Sequence, residues 1–164
     1  MEIIIDTREK DRAIKKILRT FDSKGIVYET SKLVVGDYMS LDNARRVVDR
    51  KQNLSEVYTN LCHEGKKGSS FDKCARFIKE LERAKKLRIG VYFLIEHGSG
   101  MTCLDDVKSW ENPRLNETPY AWDGKQMHRR MSLLLNDYPN IRFRFCEKSE
   151  TGDKIIELLG GDRS

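Results

Sequence analysis

The sequence predicts an α/β fold, a mixed central sheet of about five or six strands flanked by helices. Three features carry that expectation. Short, β-branched apolar runs at Glu2–Ile5 and Ile89–Ile95 have the character of buried strands. Long stretches around them repeat apolar residues at helical spacing. The resulting order of strand, helix, several strands, helices and strand is that of a chain that covers a sheet with helices.

Glu2–Ile5 stops at Asp6-Thr7-Arg8-Glu9 and so delivers polar side chains to the end of its strand. From Asp11, the residues Ala13, Ile14, Ile17, Leu18 and Phe21 share one helical face, with Lys15, Lys16 and Arg19 on the other, and Gly25 closes the helix. Val27–Leu33, Val34–Leu41 and Arg46–Lys51 read as strands of a small antiparallel meander, with turn chemistry at Asp42-Asn43-Ala44. A helix at Leu54–Leu61 leads into a basic loop over 63–70. The next helix has Phe71, Cys74, Phe77, Ile78 and Leu81 as its stripe and Lys73, Arg76, Lys79, Lys85 and Lys86 elsewhere. Beyond Glu96-His97-Gly98 we expect a short helix at Leu104–Trp110, a loop at Asn112–Tyr120 and a helix at Asp123–Asn136. Ile141–Cys146 alternates as a strand with Arg142 and Arg144 on its polar side, and a last helix covers Asp153–Leu159.

The 164 residues suit one domain, read as a core at 1–98 with a C-terminal extension at 99–164 packed on it. Lys+Arg 31 against Asp+Glu 26 gives a net charge of +5, a mild bias towards polyanionic partners. No apolar run approaches the roughly 20 residues of a membrane span, and the N-terminus has no signal-peptide pattern, so no membrane association and an intracellular, cytoplasmic location are expected. The four cysteines lack paired spacing, which favours reduced thiols over disulfides; Cys62, His63, Cys74, His97 and Cys103 match no compact zinc motif.

The chemistry concentrates in Gly36-Asp37-Tyr38 and, a hairpin's length later, Asp49-Arg50-Lys51. Strand side chains two apart share a face, so Asp49 and Lys51 point together and Arg50 points away. The hairpin can return Asp37 to the side of Asp49. Two hard carboxylates and the Arg50 carbonyl oxygen suit Mg²⁺, with Mn²⁺ as a substitute, and leave Lys51 over a bound water. Such a cation lowers the pKa of a water and stabilises charge on a phosphodiester under attack, so the arrangement is that of metal-dependent nucleases of the restriction-enzyme type.

These motifs resemble the XPF-type nuclease family, whose signature reads Gly-Asp, a variable stretch, then Glu-Arg-Lys-x-x-x-Asp. Here Gly36-Asp37 and Asp49-Arg50-Lys51 match it, Ile4-Ile5-Asp6-Thr7-Arg8-Glu9 resembles the family's first strand and its ending, and Gly68-Ser69-Ser70-Phe71-Asp72 and Val91–Glu96 follow in order, over about residues 1–98. Asp49 stands where the family has Glu, Ser69 where it has Arg, and Ser55 where it has the final Asp, with Glu56 adjacent as a substitute ligand. The resemblance implies a restriction-endonuclease-like fold, similar to compact stand-alone bacterial or phage members. It also implies a Mg²⁺-dependent endonuclease acting on branched or flapped DNA in replication, repair or recombination, and a homodimer. The alternatives are a Holliday-junction resolvase or restriction-like nuclease, and a DNA-binding scaffold that keeps the fold.

The assigned roles follow. Asp37, Asp49, Asp6 and the Arg50 carbonyl hold metal, Lys51 positions water, and Asp6 and Glu9 complete an acidic rim. Arg8 contacts the scissile phosphate or pairs with Glu9. DNA is tracked by Lys66, Lys67, Lys73, Arg76 and Arg50, the last either facing the duplex or forming a salt bridge, with Arg129, Arg130, Arg142 and Arg144 as an extension.

Overall fold

The structure is a computed structural model that describes residues 1–62, 70–98 and 100–160. Its strands are β1 (Glu2–Ile5), β2 (Val27–Thr30), β3 (Tyr38–Ser40), β4 (Asn43–Lys51), β5 (Gly90–Glu96) and β6 (Ile141–Cys146). The α-helices are α1 (Asp11–Ser23), α2 (Leu54–Leu61), α3 (Ser70–Lys86), α4 (Gly124–Asp137) and α5 (Thr151–Gly160). One mixed sheet runs in the order β2-β1-β3-β4-β5-β6, as the α/β expectation requires. The meander is corrected. β2 ends at Thr30 and pairs in parallel with β1, through the α1 crossover, while β3 takes the other edge of β1 antiparallel. Strand propensity locates a strand but does not choose its partner. The Leu104–Trp110 segment is a 3-10 helix over Leu104–Ser109, and the expected loop after it holds a short 3-10 turn at Pro113–Asn116.

Alternation along β4 sorts the core. Val47 faces a cluster with Phe77, Leu81, Phe93, Met127, Met131 and Phe143, under α2, α3 and α4. Val48 faces the opposite cluster, with Ile14, Ile17, Phe21, Leu94 and Ile155, under α1 and α5. Residues beyond 98 complete this sheet, since β6 pairs with β5 from Val91↔Ile141 to Glu96↔Cys146. α4 starts with a capping box in which Asp123 accepts from the Gln126 amide at 2.8 Å and Gln126 accepts from the Asp123 amide at 2.9 Å. Among the described residues no helix is long and apolar enough to cross a membrane. Cys62, Cys74 and Cys146 are buried and Cys103 is exposed, all four as free thiols. Trp110 is buried and Trp122 packs edge-on against Tyr58, whereas Tyr120 is 80% exposed.

Candidate active site

β1, β4 and β5 run in the same direction, because β3 is antiparallel to both β1 and β4 and β5 is parallel to β4. Asp6, Asp49–Lys51 and Glu96 therefore gather at one end of the sheet, where Asp37 enters β3. Open α/β sheets build their sites at such strand ends.

Asp37 is fixed by main chain. Its N–H donates to the Val48 carbonyl at 2.9 Å and its own carbonyl accepts from the Asp6 N–H at 2.8 Å. The preceding Gly36 turns with φ +73°, and a Cβ there would lie 2.9 Å from Val47 Cγ2, so only glycine fits. The Gly36 N–H donates to Glu80 Oε1 of α3 at 2.9 Å, while its carbonyl accepts from the Arg8 guanidinium at 3.3 Å. The Arg50 N–H on β4 is taken by the Asp37 side chain, Oδ2, at 2.8 Å. That bond locks the carboxylate to the strand carrying Asp49.

On the α3 side of β4, Lys51 Nζ sits 2.8 Å from Asp49 Oδ1 and 5.6 Å from the ring centroids of both Phe77 and Phe93. Apart from that ion pair, the buried Asp49 Oδ1 has no hydrogen-bond partner. Burial would push the Lys51 pKa down, but Asp49 above all, with Asp37 and Glu56, holds it above the usual lysine range, so Lys51 is a cation at neutral pH. Burial and the charges of Asp49 and Glu9 push the Asp37 carboxyl well up, with Lys51 and the Arg50 amide only partly offsetting them. Crowded carboxylates, with Asp37 pushed up by Asp49 and Glu9, mark a place that a cation would relieve. Among the described residues no three His, Cys, Asp or Glu side chains are grouped to hold a metal. Two hard oxygen ligands fit a cation that keeps most of its waters, as Mg²⁺ does.

Two residues expected at the site are already engaged by the protein itself. Arg50 does not face solvent or DNA: it is 7% exposed on the α1 and α5 side, with Nε 3.0 Å from Glu9 Oε2 and Nη1 3.3 Å from Glu96 Oε1. Polar character at an alternating position does not reveal whether a helix covers that face. Asp6 is fully buried and already saturated, since Oδ1 accepts from the Arg8 N–H at 2.8 Å and Nε at 2.6 Å, and Oδ2 from the Leu33 N–H at 2.6 Å. Burial opposes its ionisation, but these bonds hold the carboxyl below its usual range. Asp6 thereby ties the Arg8 and Leu33 segments together. Arg8 accordingly pairs with Asp6, and Glu9 with Arg50.

Thr151 was not singled out from the sequence, and the partners of Tyr38 and Glu56 were not foreseen there. Tyr38, fully buried, donates its hydroxyl to Glu9 Oε2 at 2.7 Å, and Thr151 Oγ1 donates to Glu96 Oε1 at 2.9 Å. Asn53 caps α2 by accepting from the Glu56 N–H at 2.9 Å, and the Glu56 carboxylate accepts from the Gln52 N–H at 2.8 Å. Lys73 is exposed and lines a depression of about 350 Å³ with Ser55, Glu56, Thr59 and Asn60, and Arg76 is exposed one turn on. Lys66 and Lys67 lie outside the described residues.

A buried strand pair of carboxylate and lysine, with a second carboxylate returned by a hairpin on a mixed six-stranded sheet, defines a nuclease-type α/β domain. The ERCC4 domain model matches residues 5–158, and the chain belongs to that family, with the fold of an XPF-type nuclease domain. The match reaches well past residue 98. Among solved structures, XPF from Aeropyrum pernix is similar at TM-score 0.63 and 20% identity, over 99% of this chain and 66% of that one. This chain thus spans just under two thirds of that protein. No curated protein matches in sequence.

Proposed function

We propose that the chain is a metal-dependent endonuclease that hydrolyses phosphodiester bonds in DNA, with branched or flapped DNA as the substrate class. The observation that carries this reading is the Asp37, Asp49 and Lys51 cluster, in which Asp37 is pinned to the Arg50 amide and Lys51 lies against Asp49. Asp37 and Asp49, with the Arg50 carbonyl oxygen, would hold Mg²⁺ or Mn²⁺. When bound, such an ion lowers the pKa of a water and stabilises charge on the phosphate. Lys51 does the rest as a cation: its ammonium has donors beyond the one near Asp49, which orient the attacking water and stabilise developing negative charge. The pairing with Asp49 favours the ammonium form, so Lys51 is given the orienting role and not that of the base. Glu9, Arg50 and Glu96 stiffen β4 from behind the site, and Asp6 and Arg8 fix the loop that presents Asp37.

The test is a panel of labelled single strand, duplex, flap, fork and four-way junction incubated in EDTA, Mg²⁺ and Mn²⁺. Metal-dependent cutting of one or more members supports the proposal, and the preferred member names the substrate; a four-way junction would favour the resolvase alternative. The second reading, a DNA-binding protein without turnover, is favoured by the Lys51–Asp49 ion pair, which neutralises Asp49 from within. DNA binding with no cutting in either metal would establish it.

A further inference from the structure

The polar face of α1 carries Arg12, Lys15, Lys16 and Arg19, all exposed, at spacings that stack them along one stripe. The stripe borders a groove of about 490 Å³ to which Lys148, from the turn after β6, adds a fifth cation and Glu96 a single carboxylate. Glu96 is 5% exposed and already engaged by Arg50 and Thr151, so its charge does not compensate the groove. Among the described residues none of the five cations forms an ion pair. The surface cations that are paired lie elsewhere, as in Lys24–Asp153, Lys108–Asp105, Arg114–Glu117 and Lys154–Glu157. Like charges at i and i+4 work against a helix, so an unmatched stripe of this kind is a cost that a ligand would remove.

The groove's position matters as much as its charge. α1 starts two residues after Glu9, so its first turn lies at the sheet end that holds Asp37, Asp49 and Lys51, and the stripe leads away from there. Arg12 to Arg19 spans about 10 Å along the helix, the rise of roughly three nucleotides in one strand of B-form DNA. An extended, regularly charged polyanion matches this shape better than a compact anion does.

We propose that Arg12, Lys15, Lys16, Arg19 and Lys148 hold the phosphate backbone of a nucleic-acid strand running away from the catalytic end of the sheet. This contact is separate from the α3 face bearing Lys73 and Arg76, and it rests on the nuclease reading for the identity of the polyanion. It is tested with the full chain in EDTA, by fluorescence anisotropy of labelled single-stranded and duplex DNA across a salt series. The variants are K15Q/K16Q/R19Q and K148Q, with K108Q/R114Q/K125Q as a control for the triple variant that removes the same charge, and circular dichroism to confirm folding. We expect the triple variant to lose about 10- to 100-fold in affinity at low salt and its slope of log K against log salt to shrink by about two, at 0.7–0.9 per lost phosphate contact, with the control unchanged. A wild-type slope in the triple variant overturns the proposal, as does absence of DNA binding by the wild type. So does α1-dependent binding of poly-glutamate with DNA unaffected, which would identify an acidic protein partner. Binding that depends on α1 in a chain that never cuts would sink the nuclease reading and leave this one standing; cutting with unaltered DNA binding by the triple variant would do the reverse.

Discussion

The Asp37 carboxylate accepts the Arg50 amide hydrogen at 2.8 Å, so a side chain takes the place of a sheet partner for β4. The guanidinium of the same Arg50 is clasped between Glu9 and Glu96 on the other side of the sheet. One residue thus ties the Asp37 carboxylate to the buried network on the other face of the sheet.

Replacing the clasp's centre leaves two carboxylates without their cation. R50M is expected to lower unfolding free energy by about 3–5 kcal/mol, the usual cost of orphaning a buried charge. Urea denaturation checks this, and adding E9Q and E96Q to R50M should recover part of the loss.

Gly36 positions Asp37 by a conformation that an L side chain rarely adopts. G36A should cost roughly 1–3 kcal/mol, through the positive φ and the contact 2.9 Å from Val47 Cγ2. Cutting should fall further than stability does at temperatures where the variant stays folded. Equal cutting by folded G36A would show that the placement of Asp37 is not critical.

Asp6 gives a pH signature. Its folded pKa lies below the unfolded value near 3.8, so its contribution is fully present above that pH and is lost as pH falls through the folded value. D6N should cost roughly 2–3 kcal/mol at pH 7, where an amide donor would oppose another donor. The gap between wild type and variant should narrow below pH 3.8. A constant gap across that window would contradict the assignment.

Cation binding can be read without any cutting. Mg²⁺ or Mn²⁺ should raise the Tm of the wild type in a concentration-dependent way, because a ligand that binds only the folded state stabilises it. D37N and D49N should abolish that rise. A shift retained in both variants would move the cation elsewhere.

The site's front was legible and its back was not. Period-two alternation sufficed to put Asp49 and Lys51 together, and turn chemistry near Asp42 sufficed to return β4 beside Asp37, although the turn is Leu41–Asp42 and Asn43 and Ala44 already belong to β4. The Glu9–Arg50–Glu96 clasp was hidden because it joins residues 41 and 46 positions apart across a face whose helices the sequence does not place. The same non-locality concealed the parallel pairing of β2 with β1. Asp6 looked like a ligand because its three donors come from Arg8 and Leu33, and only the folded loop brings Leu33 to it.

The central claim is that Asp37, Asp49 and Lys51 together cleave DNA. Its most direct measurement is cutting of the preferred labelled substrate by wild type, D49A and K51A at matched folded concentration, with Mg²⁺ and with EDTA. The account predicts cutting only by the wild type with metal, and a fall on the order of 100-fold or more in each variant. Undiminished cutting by folded K51A or D49A would contradict it.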